Sequence, residues 1–261
     1  MRTSDLTPAE RILYDLGVTE PSEIDVVAIA HSMGAKVNFR PLDGCAARIV
    51  GTDSKAVITV NESCAPTRKR FSVGHELGHW FYHRGRISMC AQGDIERGNK
   101  KRAGIDEERV ADSFGANLLM PRYLMAPVAR GAQFLTWKLV RQVGNVFDTS
   151  PVAAAIRLVE LNLLPALIVC HNQQGRAWFV RAKDVPDRWF PKNELDPDSQ
   201  AFDLMFGSSS DTRPVRVPAR AWFDSYEADR YEIREESVVL PALGEVLSLL
   251  SITSERMLED R

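Results

Sequence analysis

Two histidines four residues apart, with a glutamate after the first, constrain this chain more than any other feature: His75-Glu76-Leu77-Gly78-His79. The spacing has a chemical use only on a helix. There, residues i and i+4 share one face, roughly 5–6 Å apart. Two imidazoles so placed can converge on one ion at Zn–N distances of about 2.0–2.1 Å. Glu76, one residue on from the first histidine, can then reach an ion-bound water without being a ligand. Zinc lowers the pKa of such a water towards about 7, and a carboxylate beside it can take the proton and return it to a leaving amine. A helix is therefore expected from about Pro66 to His83, with Phe71, Val73, Leu77, Trp80 and Phe81 as its apolar residues.

Two histidines leave a catalytic zinc site one protein ligand short. His83 lies eight residues past His75, about 12 Å along the axis, too far to share the ion. It reads instead as a helix-end residue near the negative end of the dipole. Tyr82 and Gly85 stand where an HExxHxxGxxH site carries Gly and His, so that pattern fails. Downstream, Glu108-Arg109-Val110-Ala111-Asp112 places two carboxylates four apart on one helix face. Glu108 can complete the site, with Glu107 the second choice. Asp112 can accept the other N–H of a ligating histidine and so fix its tautomer. Without the histidine motif, Asp106, Glu107 and Glu108 would read as acids of a first helical turn, favoured by the dipole.

The run Arg70-Phe71-Ser72-Val73-Gly74-His75-Glu76-Leu77-Gly78-His79 is followed by Glu108-x-x-Ala111-Asp112-x-Phe114-Gly115-Ala116-Asn117-Leu118-Leu119-Met120-Pro121. Together they resemble the ImmA/IrrE family of metallo-endopeptidases, whose members commonly show RFTxAHELGH and then ExxANxFAxxLLMP. The resemblance spans about residues 20–125. Departures are Ser72 for Thr, Gly74 for Ala, Asp112 for Asn and Gly115 for Ala, and none removes a ligand. The resemblance implies a gluzincin-like peptidase fold and favours Glu108 over Glu107. It implies one zinc ion per chain held by His75, His79 and Glu108, with manganese as the alternative ion, and Glu76 as the catalytic residue. The implied substrate is an Xre-type helix-turn-helix transcriptional repressor, whose cleavage switches on stress-response or mobile-element genes.

The rest of the chain reads as α+β. A zincin-like core of helices with a small antiparallel sheet is expected over 1–128, a helix-turn-helix-like segment over 129–165 and a C-terminal α+β domain over 166–261. Helices are expected at 7–17, 25–33 and 106–120, the last stopped by Pro121. Strands are expected at 37–40, 46–50 and 56–60, with Gly51-Thr52-Asp53-Ser54 as a hairpin turn. Ala56–Val60 is expected as an edge that holds substrate extended. Two helical patterns over 134–164 are separated by Phe147-Asp148-Thr149-Ser150, with Ser150 as N-cap and Pro151 at the first position. Beyond Leu167, a hairpin turns at Asn172-Gln173-Gln174-Gly175. A short helix at 198–206 and strands at 215–223, 231–240 and 245–252 follow. Trp178, Trp189 and Trp222 read as core residues at strand-like positions. Some longer members of the resembling family carry a GAF-like domain here, and residues 166–261 read as a reduced version that recruits or gates the substrate.

Composition bounds the partners. The formal net charge of -2 removes a chain-wide positive field. In the helix-turn-helix-like segment, Arg130, Lys138, Arg141 and Arg157 outnumber Asp148 and Glu160 by only two, thin for phosphate binding. Direct DNA binding is not expected. The basic run Arg97, Lys100, Lys101 and Arg102 reads as a solvated loop, or alternatively as a rim of the cleft. No apolar run approaches the roughly 18 residues of a membrane span, and Met1-Arg2-Thr3-Ser4-Asp5 opens no signal-peptide core. Cys45, Cys64, Cys90 and Cys170 form no CxxC pair and read as free thiols, so a cytoplasmic location is expected. Two rival classes stand beside the peptidase: a DNA-binding regulator with a vestigial metal site, and a partner that binds a repressor without cutting it. Tyr82, Tyr123 and His171 are the candidates for stabilising an oxyanion.

Overall fold

The computed structural model describes residues 3–82, 102–207 and 212–259. The chain is α+β and divides into two compact units. The first comprises residues 1–128 and 144–150; the second comprises 129–143 and 151–261. The expected helix pair thus contributes residues to both. His83, Cys90, Arg97, Lys100, Lys101 and Ser208-Ser209-Ser210 lie outside the described residues.

In the first unit, α1 (Pro8–Asp15) starts at Thr7, whose hydroxyl accepts the Glu10 N–H while Glu10 accepts the Thr7 N–H. Asp25 caps α2 (Val26–Ser32) by accepting the N–H groups of Val27 and Ala28. A three-stranded sheet follows, with β1 (Ala35–Arg40), β2 (Ala47–Gly51) and β3 (Ala56–Asn61) in the order β1-β3-β2. The β2–β3 hairpin forms as expected, with Gly51 opposite Ala56. The edge role expected of Ala56–Val60 does not hold. β1 pairs with β3 in parallel, so β3 is the central strand and both its ladders are filled. Helix α3 (Pro66–Tyr82) packs on β2 and β3, and Trp80 donates its indole N–H to Met33 O across 3.1 Å.

Helix α4 (Arg102–Leu119) lies along α3, and α5 (Arg122–Ala129) follows Pro121. Glu10 is buried and accepts the N–H of Arg122, the first residue of α5, at 2.6 Å, so one carboxylate closes the amino ends of α1 and α5. Helices α6 (Trp137–Phe147) and α7 (Pro151–Glu160) come next. In the turn between them, Asp148 adopts φ 51° and its carboxylate lies 3.5 Å from Arg70 Nε of α3.

The second unit is built on a five-stranded antiparallel sheet. Its strands are β4 (Ala166–Asn172), β5 (Gly175–Arg181), β6 (Val215–Pro218), β7 (Glu232–Leu240) and β8 (Glu245–Ile252), in the order β5-β4-β8-β7-β6. Between β5 and β6 lies α8 (Gln200–Phe206), whose first turn is capped by the Ser199 hydroxyl. β8 is buried on both faces and forms the middle of the sheet. The strand expected over 215–223 ends at Pro218, and Ala219–Ala221 forms a 3-10 turn instead. Trp189 and Trp222 are buried, though neither lies in a strand, and Trp178 on β5 is half-buried.

Two neighbours on β7 tie helices to this sheet. Glu235 accepts the N–H groups of Gln200 and Ala201 at the start of α8, the Trp222 indole N–H and the Ser237 hydroxyl, at 2.7–3.1 Å. Glu236 points to the opposite face and accepts the N–H of Trp137 at the start of α6, at 3.1 Å. Both are buried, and each meets the positive end of a helix.

Candidate metal centre

His75 and His79 lie one turn apart on α3, and Glu108 reaches them from α4. His75 Nε2 is 3.1 Å from His79 Nε2 and 3.4 Å from Glu108 Oε2. His79 Nε2 is 3.6 Å from Glu108 Oε1. A tetrahedral ion with ligands at about 2.0–2.2 Å separates those ligands by roughly 3.3–3.6 Å. The two approaches to Glu108 use its two different oxygens; one ligand atom from each of the three residues lies within 4.8 Å of the others, so His75, His79 and Glu108 fit a metal ion.

Two further groups suit that arrangement. His75 Nδ1 lies 2.8 Å from Asp112 Oδ1. A carboxylate can only accept, so Nδ1 carries the proton and Nε2 presents its lone pair towards the other ligands. Glu76 is 1% exposed, and its Oε2 has no hydrogen-bond partner among the described residues. A buried carboxylate oxygen without a donor is costly, and sites of chemistry are where such atoms persist.

The two glutamates titrate apart. Burial pushes the Glu76 carboxyl up to about 7, with His75 and His79 drawing it back and Glu108 raising it. The neighbouring side chains of His75 and then His79 hold Glu108 well below the ordinary carboxylate range, against partial burial. Carboxyls driven in opposite directions in one site suit different tasks, one holding charge and the other exchanging a proton.

The cluster takes in Glu108 and not Glu107. Of the oxyanion candidates, Tyr123 donates its hydroxyl to Val18 O. His171 belongs to the second unit, on β4, with Nε2 3.3 Å from Lys192 O. Tyr82 ends α3 with its ring against Phe81 and Phe114. Phe71 is a neighbour that motif reading passed over. It lies one turn before His75, ring centroids 6.3 Å apart, with the Arg68 guanidinium over its ring at 5.7 Å. Its i−4 spacing from His75 was the available signal.

Residues 30–159 match the family model Peptidase_M78, described as IrrE N-terminal-like domain. No curated protein matches the chain. Among solved structures, one titled Mycobacterium tuberculosis transcriptional regulator is similar with a TM-score of 0.63 and 14% identity, over 94% of this chain and 74% of that one. At that identity the likeness is one of fold.

Proposed function

Because residues 30–159 of this chain belong to the ImmA/IrrE family, we propose that the protein is a zinc-dependent endopeptidase that cleaves a transcriptional repressor of the Xre-type helix-turn-helix class. The triangle of His75, His79 and Glu108 beside the buried carboxylate of Glu76 is the observation that carries this reading. Zinc, when bound, supplies Lewis acidity to the scissile carbonyl and makes a water acidic near neutrality. His75 and His79 would hold it through Nε2 and Glu108 through its carboxylate. Asp112 keeps the His75 proton on Nδ1. Glu76 takes the proton of the attacking water on a carboxylate oxygen and hands it to the leaving nitrogen. Its burial favours the neutral form, so it can both accept and return that proton near neutral pH.

Among the described residues, the edges of the first sheet are β1 and β2. β2 rests on α3, so we assign to its open edge the extended binding of substrate that sequence reasoning gave to Ala56–Val60. The second unit is the proposed regulatory part. No helix among the described residues is long and apolar enough to cross a membrane.

The test joins metal to cleavage. The purified chain is expected to hold about one zinc ion, and His75→Ala or Glu108→Ala to lose most of it. Incubated with repressors encoded beside its gene, the wild type should cut one of them, and a chelator should stop the cut. Full zinc content in both variants, or cleavage indifferent to chelation, would overturn the proposal.

A further inference from the structure

The three-stranded sheet of the first unit buries one face and leaves the other open. Ala56, Ile58 and Val60 of β3 are buried, with Ala47 and Ile49 of β2 beside them. Side chains alternate along a strand, and neighbours in register share a face. The intervening residues therefore form the open face, in three rows. Lys36 and Val50 flank Val57, Asn38 and Arg48 flank Thr59, and Arg40 stands beside Asn61. Lys36, Arg40, Arg48, Val50 and Val57 are exposed.

This face carries charge of one sign. It has three cations and no carboxylate, in a chain whose formal net charge is -2. The cations stand beside Val57, Thr59 and Asn61, so none has an acid across the ladder. Asp43, Asp53 and Glu62 lie in the connections beyond the strand ends. Among the described residues, Lys36, Arg40 and Arg48 form no ion pair.

The cations also have a useful spacing. Lys36 and Arg40 are four residues apart on β1, about 13 Å, and Arg48 lies level with their midpoint two strands away, roughly 10 Å. An extended chain with carboxylates at alternate positions repeats them about every 7 Å. It can set one at Lys36 and another at Arg40, with a third between them turned towards Arg48. Nucleic acid fits less well. Three cations neutralise too few phosphates for a duplex, and the face has no aromatic ring on which the bases of a single strand could stack.

We propose that this face docks an extended acidic segment of another protein, with its carboxylates on Lys36, Arg40 and Arg48 and an apolar side chain on Val50 and Val57. The proposal does not rest on the metal reading. It uses side chains on the face of the sheet, whereas the extended binding assigned to β2 uses its backbone edge. A protein held on the face is thereby kept beside that edge.

The test reads binding by fluorescence anisotropy with the full chain, at low and at physiological salt. The probes are a short labelled peptide alternating Glu and Val, a matched peptide alternating Lys and Val, and a labelled DNA duplex of mixed sequence. The proteins are wild type, Arg40→Glu, Arg48→Glu and Lys183→Glu; Lys183 is an exposed cation of the second unit. The acidic peptide should bind the wild type, more weakly as salt rises, and the basic peptide should not bind. Arg40→Glu and Arg48→Glu should each weaken the acidic peptide roughly tenfold, and Lys183→Glu should leave it unchanged. Arg40→Gln and Arg48→Gln should move affinity the same way by less, and they decide the matter if a reversed charge disturbs the sheet. No binding of the acidic peptide at low salt, wild-type affinity in both reversals, or an equal loss in Lys183→Glu overturns the proposal. Duplex DNA bound more tightly than the acidic peptide, and released by the same two reversals, overturns it in favour of nucleic acid.

Discussion

The Nδ1 proton of His75 points at Asp112 across 2.8 Å, so a carboxylate on α4 fixes which nitrogen of an α3 imidazole is free. Asp112→Ala removes the acceptor and lets the tautomer exchange. Zinc affinity, measured by chelator competition, should fall about 10–100-fold. Asp112→Asn keeps a carbonyl oxygen able to accept the same proton and should retain most of the affinity. Equal losses in the two variants would show that charge, not tautomer, is what Asp112 supplies.

Glu76 stands beside the ligands but is not one of them. Glu76→Gln should keep zinc and the folded state while slowing cleavage by roughly 10²–10⁴-fold, the usual contribution of a general acid–base group. Cleavage at the wild-type rate would remove Glu76 from the mechanism.

Cys170 lies on β4 with no exposed surface, and burial pushes its thiol up to about 12, aided by Glu245. Thiolate is the reactive form. Cys170 should therefore resist a thiol reagent in the folded chain and label only on unfolding, whereas the half-buried Cys45 and Cys64 should label sooner. Mass mapping of labelled peptides checks this, and early modification of Cys170 would contradict its placement.

Burial raises the Glu235 carboxyl above its ordinary value of 4.5, opposed by hydrogen bonds from Trp222, Ser237, Ala201 and Gln200. A carboxyl raised on folding contributes stability that is complete below the ordinary value and is lost as pH rises through the folded one. Denaturant unfolding of the wild type should therefore contain a component that weakens with rising pH above 4.5 and is absent in Glu235→Gln. Glu235→Ala should cost at least about 3 kcal/mol, because it strands several buried donors at once. Identical pH slopes for wild type and Glu235→Gln would exclude Glu235 as their source.

Local signals carried much of this structure. The spacing of His75 and His79 defined α3, Gly51-Thr52-Asp53-Ser54 the first hairpin, and Asn172-Gln173-Gln174-Gly175 the second. What escaped was set by partners distant in sequence. Ala56–Val60 shows nothing that distinguishes an edge from a centre, because β1 pairs with it only after a crossover. No helix was expected directly after Pro121, yet α5 forms there with Pro127 inside it. Val215–Phe223 looked like one strand, but its second half turns to bury Ala219, Ala221, Trp222 and Phe223. At the metal centre, Gly74 and Gly115 were visible only as separate departures from a family pattern, and the fold brings them face to face.

Glu235 and Glu236 also decide the register of the ladder that carries them. β8 is buried on both sides, so its apolar side chains barely distinguish β7 in register from β7 displaced by one residue. The acids do distinguish them. Slipped one way, Glu236 would come to the start of α8 but Ser237 would face the N–H of Trp137. Slipped the other way, Arg234, a cation, would be driven among the donors of Gln200, Ala201 and Trp222. Either error leaves a helix end buried without its carboxyl acceptor, so two adjacent acids on opposite faces act as a key that admits one alignment of the sheet.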